Sequence, residues 1–530
     1  MRRTIFLLVT LWAAFLLAGG VALVSIVGLY DPTVAEAQTK DAEKTTGAEK
    51  TTDAQNSQSE TVRGFFHIQW GDPSRRDPNA EAKTEYVLLD DRGQEKKLLL
   101  DERDAKAVGG PQAFNGKRVE VRGTRVSDGP EGIDVEAIAF ERPTDAAKAK
   151  SRIQSGEPAA EALASEGSTS KPWVTIGCKF KSSTEPLKAR SYYDGLMGSS
   201  EPGMDDYWRE LSSDKVNLTG SQVGGINADG TAHQFWYTLP YSKKSYMNGS
   251  NPNLTKIVND CTKVADQYVK FSNFFGINLV LSDSIGCCSW GGSRTLSLDG
   301  QSKNYGVTWL PQTFASGHDW MAHEMGHGFG MPHSSGPYSA TYDSEWDVMS
   351  GAGLCGADPS TPDNWVTHDP YECIADHTIS YHKDLVGWIP TERRYVAASG
   401  SDQTITIERL GKGLEDPAPT SNDYYLMAKI PFPGSTTKFY TVEARRFAGY
   451  DNHINGRIPG EAIVIHKVDT SLSSRNAKVV DPDNDGDPND EGAMWLPNDE
   501  RNGTFTDATN GITVQVTEAT EGGYKVRIKR

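Results

Sequence analysis

No cysteine occurs before Cys178, and the six that follow (Cys178, Cys261, Cys287, Cys288, Cys355 and Cys373) contain no C-x-x-C pair. That spacing argues against a thiolate zinc module, and an even number of cysteines in one region reads as disulfides. Cys355 and Cys373 bracket a short loop and are the preferred pair, whereas adjacent Cys287 and Cys288 are expected to bond to different partners. Positive charge is also scarce, with 54 Lys and Arg against 71 Asp and Glu, a formal charge of −17. A nucleic-acid partner and a polybasic membrane patch are excluded on that balance. No second long apolar run follows the first thirty or so residues, so only the N-terminus can enter a bilayer.

That N-terminus carries Arg2-Arg3, an uncharged run from Ile5 to Tyr30, and the small-x-small site Ala35-Glu36-Ala37. The order is that of a secretory signal. The run also exceeds the roughly 20 residues that cross a bilayer. Residues 1–37 are therefore a signal peptide or a signal anchor, and both readings place residues 38–530 outside the cytoplasm, secreted or anchored to the membrane.

Residues 38–60 hold the near-repeat Glu43-Lys44-Thr45-Thr46 and Glu49-Lys50-Thr51-Thr52 with almost nothing apolar, and read as a disordered spacer. From 61 to 142 the pattern predicts a small β domain. Tyr86 to Leu89, the turn Asp90-Asp91-Arg92-Gly93 and Leu98 to Leu100 form a hairpin, and Arg118 to Arg122 and Ile133 to Phe140 add strands. A five-stranded OB-like barrel fits that count. Residues 143–171, rich in Ala, Ser, Glu and Lys, read as a linker.

Within 172–392, Trp173 to Phe180 predicts a strand. Leu254, Ile257, Val258, Cys261, Val264, Ala265 and Tyr268 predict an amphipathic helix with Cys261 inward. Ile277 to Leu281 and Tyr305 to Leu310 predict two more strands. Then comes His323-Glu324-Met325-Gly326-His327-Gly328-Phe329-Gly330-Met331-Pro332-His333, the pattern H-E-x-x-H-x-x-G-x-x-H. Histidines four apart share a helix face and reach one metal ion. Gly330 can end the helix in the left-handed conformation and return His333 as a third ligand. Three neutral imidazoles leave a fourth tetrahedral position open for water, the mark of a catalytic Zn²⁺ site. The full pattern arises by chance in about one chain in 10⁵, so incidental surface histidines are a poor explanation.

With the methionine of Trp346-Asp347-Val348-Met349-Ser350-Gly351 downstream, the motif resembles the metzincin clan of zinc endopeptidases. Three further stretches are similar to gametolysin-like and immune-inhibitor-A-like secreted metalloproteases: Asp206 to Ser212, Asp384 to Ile389, and Ile458 to Glu461 with Ala462 to Asp469. The resemblance covers residues 172–530. It implies an α+β catalytic domain with Met349 as the floor beneath the metal. His333 stands where the immune-inhibitor-like group often has Asp, and no Tyr follows Met349 closely, so no tyrosine ligand is carried over. A propeptide-like role for the N-terminal β domain stays open, but a cysteine plug for the zinc is excluded, because no cysteine precedes Cys178.

Residues 393–530 alternate in short runs (Thr404 to Glu408, Tyr440 to Glu443, Ala462 to Val468, Ile512 to Val516, Tyr524 to Ile528) and predict a C-terminal β-sandwich. Inside it Asp481, Asp483, Asp485 and Asp487 alternate as in a Ca²⁺ loop, although Gly492 stands where an EF-hand needs Glu. The expected protein is thus a multidomain zinc endopeptidase acting on proteins or peptides, with Glu324 as general base. The competing class is an extracellular adhesion or glycan-binding protein on a protease-like scaffold. His318, His368, His377 and His382 are assigned no role.

Overall fold

One strand, β1 (Ser59–Pro73), belongs to two structures at once. Its first half pairs with β4 (Arg118–Val126) and its middle with β2 (Lys83–Leu89). With β3 (Glu95–Leu99) and β5 (Gly132–Phe140) these strands close a five-stranded barrel around Phe66, Ile68, Leu88, Leu98, Val119 and Ile133. The hairpin turns where expected: Gly93 adopts φ 72° and its N–H donates to the Asp90 carbonyl at 2.9 Å.

The computed structural model describes residues 59–73, 81–126, 132–155, 169–312, 317–336, 342–351, 371, 373–411, 424–452, 458–481, 493–499 and 503–530. The N-terminal apolar run, nearly all of the spacer, Cys355, His368, Asp483, Asp485 and Asp487 lie outside them. Among the described residues no helix is long and apolar enough to cross a membrane. The stretch read as a linker opens with a helix, α1 (Pro143–Ser155). Proline at its first position and Ala146, Ala147 and Ala149 favour that conformation.

Beyond the barrel the same sheet continues through β6 (Trp173–Lys179), β7 (Trp236–Thr238), β8 (Gly276–Leu281), β9 (Cys288–Leu298) and β10 (Gln301–Pro311). Their order is β7-β6-β8-β10-β9, and β1 pairs with β9. The first four are parallel, and β9 runs antiparallel at the edge. This edge strand has no counterpart in the sequence reading. Its residues Cys288-Ser289-Trp290-Gly291-Gly292-Ser293 are buried on both faces, so no alternation marks them. Helix α2 (Leu254–Ala265) packs on one face of the sheet with Ile257, Val258 and Cys261, and α3 (His318–Phe329) packs on the other. Close approach of α3 depends on glycine. A Cβ at Gly276, Gly306 or Gly328 would fall 2.4, 2.8 or 2.5 Å from the Trp173 ring wedged between them.

Cys178 of β6 bonds to Cys261 of α2 across that interface. Cys287 and Cys288 bond to each other, which corrects the expectation of different partners. The cause is availability: Cys178 and Cys261 use each other, and Cys373 is already disulfide-bonded. Such bonds suit a non-cytosolic, oxidising compartment.

The C-terminal strands form two five-stranded sheets sharing one core, in which Ile405, Ile407, Val442, Ile465, Val514 and Val526 meet. The strands expected over 404–408, 440–443, 462–468, 512–516 and 524–528 all fall inside them. Buried Arg445 ties this region to the segment that leads into Met349. It donates to the Trp346 carbonyl and to both oxygens of Asp451, at 2.6 and 2.9 Å.

His67 pins β1 to β9. The Thr295 N–H donates to its Nε2 at 3.1 Å, so its Nδ1–H faces Ser293 Oγ at 3.0 Å and the ring is neutral. Burial, reinforced by Arg294, pushes its pKa down from 6.5 to about 3. The unfolded chain therefore takes up this proton first. The His67 contribution is complete above about pH 6.5 and declines as pH falls toward 3. Urea unfolding of His67→Gln beside wild type should show a shallower acid limb over that window; parallel limbs would contradict the assignment.

Candidate metal centre

Helix α3 carries His323, Glu324 and His327, and ends where glycine ends it. Gly330 adopts φ 100°, its N–H donates to the His327 carbonyl at 2.9 Å, and the Met331 N–H donates to Gly326 at 3.0 Å. The turn brings His333 back, so the three histidines named by the motif meet, all buried.

Each imidazole is oriented through its other nitrogen. His323 Nδ1 donates to the Val348 carbonyl and His327 Nδ1 to the Met331 carbonyl, both at 2.7 Å. His333 Nδ1 lies 3.2 Å from Ser474 Oγ. With Nδ1 protonated, the Nε2 atoms of His323 and His327 present lone pairs to the common centre. Burial drives the His327 pKa down to about 3, so this ring is neutral at ordinary pH.

A fourth residue closes the centre, and it is Asp72 from the C-terminal end of β1. Its carboxylate lies 2.6 Å from His333 Nε2 and 3.3 Å from the Nε2 atoms of both His323 and His327. Burial pushes the carboxyl up, yet His333 and His323 override this and hold it well below the usual range. His327 and His333 Nε2 are 3.1 Å apart. Ligands about 2.0–2.1 Å from a tetrahedral zinc lie about 3.3–3.4 Å from one another, close to the Asp72 separations from His323 and His327. Imidazole nitrogens and a carboxylate buried together at this range are costly unless a proton or a metal cation lies between them. The cluster can hold a metal ion, and the expectation of an open fourth position is corrected: a strand from the N-terminal barrel fills it.

The supports come from three regions. The Trp70 ring stacks on His327 at 4.8 Å and 12°, and its Nε1 donates to the Ser473 carbonyl at 3.2 Å. The Arg475 N–H donates to the His333 carbonyl at 2.7 Å. Tyr342, with φ 60°, donates its hydroxyl to Asp72. Asp347 links the ends of the motif: it accepts from Ser334 Oγ, from the Met349 N–H at 3.0 Å and from Thr378, and pairs with His382 at 3.1 Å.

Met349 is buried in the short helix Val348–Gly351, where a Cβ on Gly326 would meet its sulfur at 2.5 Å. It therefore backs the helix between His323 and His327. Glu324 is fully buried and turned toward β9, since a Cβ on Gly291 would lie 2.8 Å from its Oε2. Of the residues without an assigned role, His377 pairs with Glu210 at 2.8 Å and His318 Nδ1 accepts from the Ala375 N–H, both in structural positions. Asp481 closes a described segment, and the other three acidic residues of the proposed calcium loop fall outside the described residues.

Asp72, Trp70, Tyr342 and Ser474 were not found from the sequence. Trp70-Gly71-Asp72-Pro73 carries only a turn signal, and nothing local distinguishes a ligand from a turn aspartate. Neither a scan against protein-family models nor a search of curated proteins finds a match to this chain.

Plasma emission analysis should find about one divalent ion per chain. His327→Ala should release it at a chelator concentration that leaves wild type loaded. Stoichiometric metal retained by that variant would place the ion elsewhere.

Proposed function

We propose that the protein is a zinc-dependent endopeptidase, secreted or held outside a membrane, that hydrolyses peptide bonds of extracellular proteins. The reading extends to the fold: residues 172–392 as a metzincin-like α+β catalytic domain, an OB-like N-terminal barrel and a C-terminal β-sandwich. The observation that carries it is the set of Nε2 atoms oriented by backbone carbonyls, with Glu324 buried on the same helix one position after the first ligand.

Bound zinc would supply Lewis acidity, lowering the pKa of water toward about 7 and polarising the scissile carbonyl. His323, His327 and His333 would hold the ion. Glu324 takes a proton from the attacking water, whose oxygen bonds to the carbonyl carbon, and returns it to the departing amine as the C–N bond breaks. A Cβ at Gly291 would lie 2.8 Å from Glu324 Oε2, so only glycine leaves room beside that carboxylate.

Because Asp72 fills the fourth position, the test uses an Asp72→Asn background. Casein cleavage by that variant should fall by about 10³-fold when Glu324→Gln is added, with zinc content unchanged. Undiminished turnover in the double variant would remove Glu324 from the mechanism.

A further inference from the structure

Two of the three imidazoles are oriented by backbone carbonyls close by in the chain's own metal-binding region, Val348 and Met331. The third is not. His333 Nδ1 meets the hydroxyl of Ser474, 141 residues further on, at 3.2 Å. Ser474 sits in the loop 470–476 that joins the C-terminal strands Ala462–Asp469 and Ala477–Val479. The Asp469 N–H donates to the Asn476 carbonyl at 2.7 Å across the base of that loop, and Asn476 Nδ2 donates to the Tyr381 hydroxyl at 2.9 Å. Arg475 follows in the left-handed region, φ 52°, and its N–H donates to the His333 carbonyl at 2.7 Å. A non-glycine residue keeps that conformation only where its surroundings over-determine it. The segment after His333 is gripped by the same region. Ser335 forms a parallel bridge to Lys478: its N–H donates to the Ala477 carbonyl at 2.9 Å, and its own carbonyl accepts from the Val479 N–H at 3.1 Å. The return limb of the metal loop thus adds, as a short extra strand, to the edge of a C-terminal sheet.

We infer that Ser474 is the positioning residue of the third metal ligand, and that the C-terminal strands are a working part of the metal centre rather than an appended module. The inference rests on the metal-site part of the reading above and not on peptide hydrolysis. A ligand imidazole is held in its tautomer and rotation by whatever its second nitrogen bonds. A backbone carbonyl only accepts, so Val348 and Met331 fix the proton on Nδ1 of His323 and His327. A hydroxyl accepts or donates, so Ser474 fits both tautomers of His333. In one, Nδ1–H donates to Ser474 and the Nε2 lone pair is free for the ion. In the other, Nδ1 accepts from Ser474 and Nε2–H turns to Asp72, 2.6 Å away. His333 is thereby the one ligand of the three whose tautomer its outer partner leaves open, and its hold on the ion is set from the C-terminal loop.

The test measures zinc affinity by competition with a chromophoric chelator, and reads ligand geometry from the visible d–d spectrum of the Co²⁺-loaded protein. Ser474→Ala should weaken zinc binding by about 10–100-fold and change the Co²⁺ spectrum. Ser474→Thr keeps the hydroxyl and should restore both. Ser474→Asp presents only acceptors to Nδ1–H, so it should bind zinc more tightly than wild type, a gain that no folding defect can mimic. Ser471→Ala removes a hydroxyl of the same loop that bonds Asp469, and serves as the control with unchanged affinity. Equal zinc affinity and equal Co²⁺ spectra for wild type and Ser474→Ala overturn the inference and leave the metal site standing. Failure of Ser474→Asp to bind more tightly than Ser474→Ala overturns it too. A wild type that binds no zinc removes the metal-site reading itself, and the inference with it.

Discussion

Three imidazoles and one carboxylate, all buried, converge within 4.8 Å of one another, and much of the molecule serves to hold them there. Burying a carboxylate and several unpaired lone pairs is costly without a cation to satisfy them. The constraint accounts for features that look unrelated along the chain. The Val348 and Met331 carbonyls set the tautomers of two histidines, Asp347 ties Ser334 to Met349, and Arg475 holds the third ligand from the C-terminal region.

The site is built by parts far apart in sequence. Asp72 comes from the barrel, His323 and His327 from the helix under the central sheet, and Ser474 and Arg475 from a C-terminal loop. Ser473 bonds to both Trp70 and Tyr86, so the same loop grips the barrel. The barrel and the central sheet are joined through β1, which carries Asp72 into the cluster.

How much was legible in the sequence depends on whether the determinants are local. The H-E-x-x-H spacing, the Gly330 stop and the amphipathic stripe of α2 are set by helical geometry within a few residues, and each is found where it was expected. The barrel hairpin and the C-terminal strands carry period-two alternation and were legible too. Strand β9 was not, because a strand buried on both faces has no alternation and Gly291-Gly292 reads as a turn. Asp72 was invisible for a deeper reason. It lies some 250 residues from the motif, and its role exists only through the β1–β9 register, which no local pattern encodes. Tyr342 was passed over because a tyrosine was sought after Met349, whereas the one that reaches the site lies before it.

The most direct test of the central claim is anomalous diffraction above and below the zinc K edge, from crystals of residues 38–530 grown without chelator. The account predicts one zinc peak about 2.0–2.2 Å from the Nε2 atoms of His323, His327 and His333 and from one oxygen of Asp72. A zinc held by the three histidines with water in place of Asp72, or no zinc at this cluster, would contradict it.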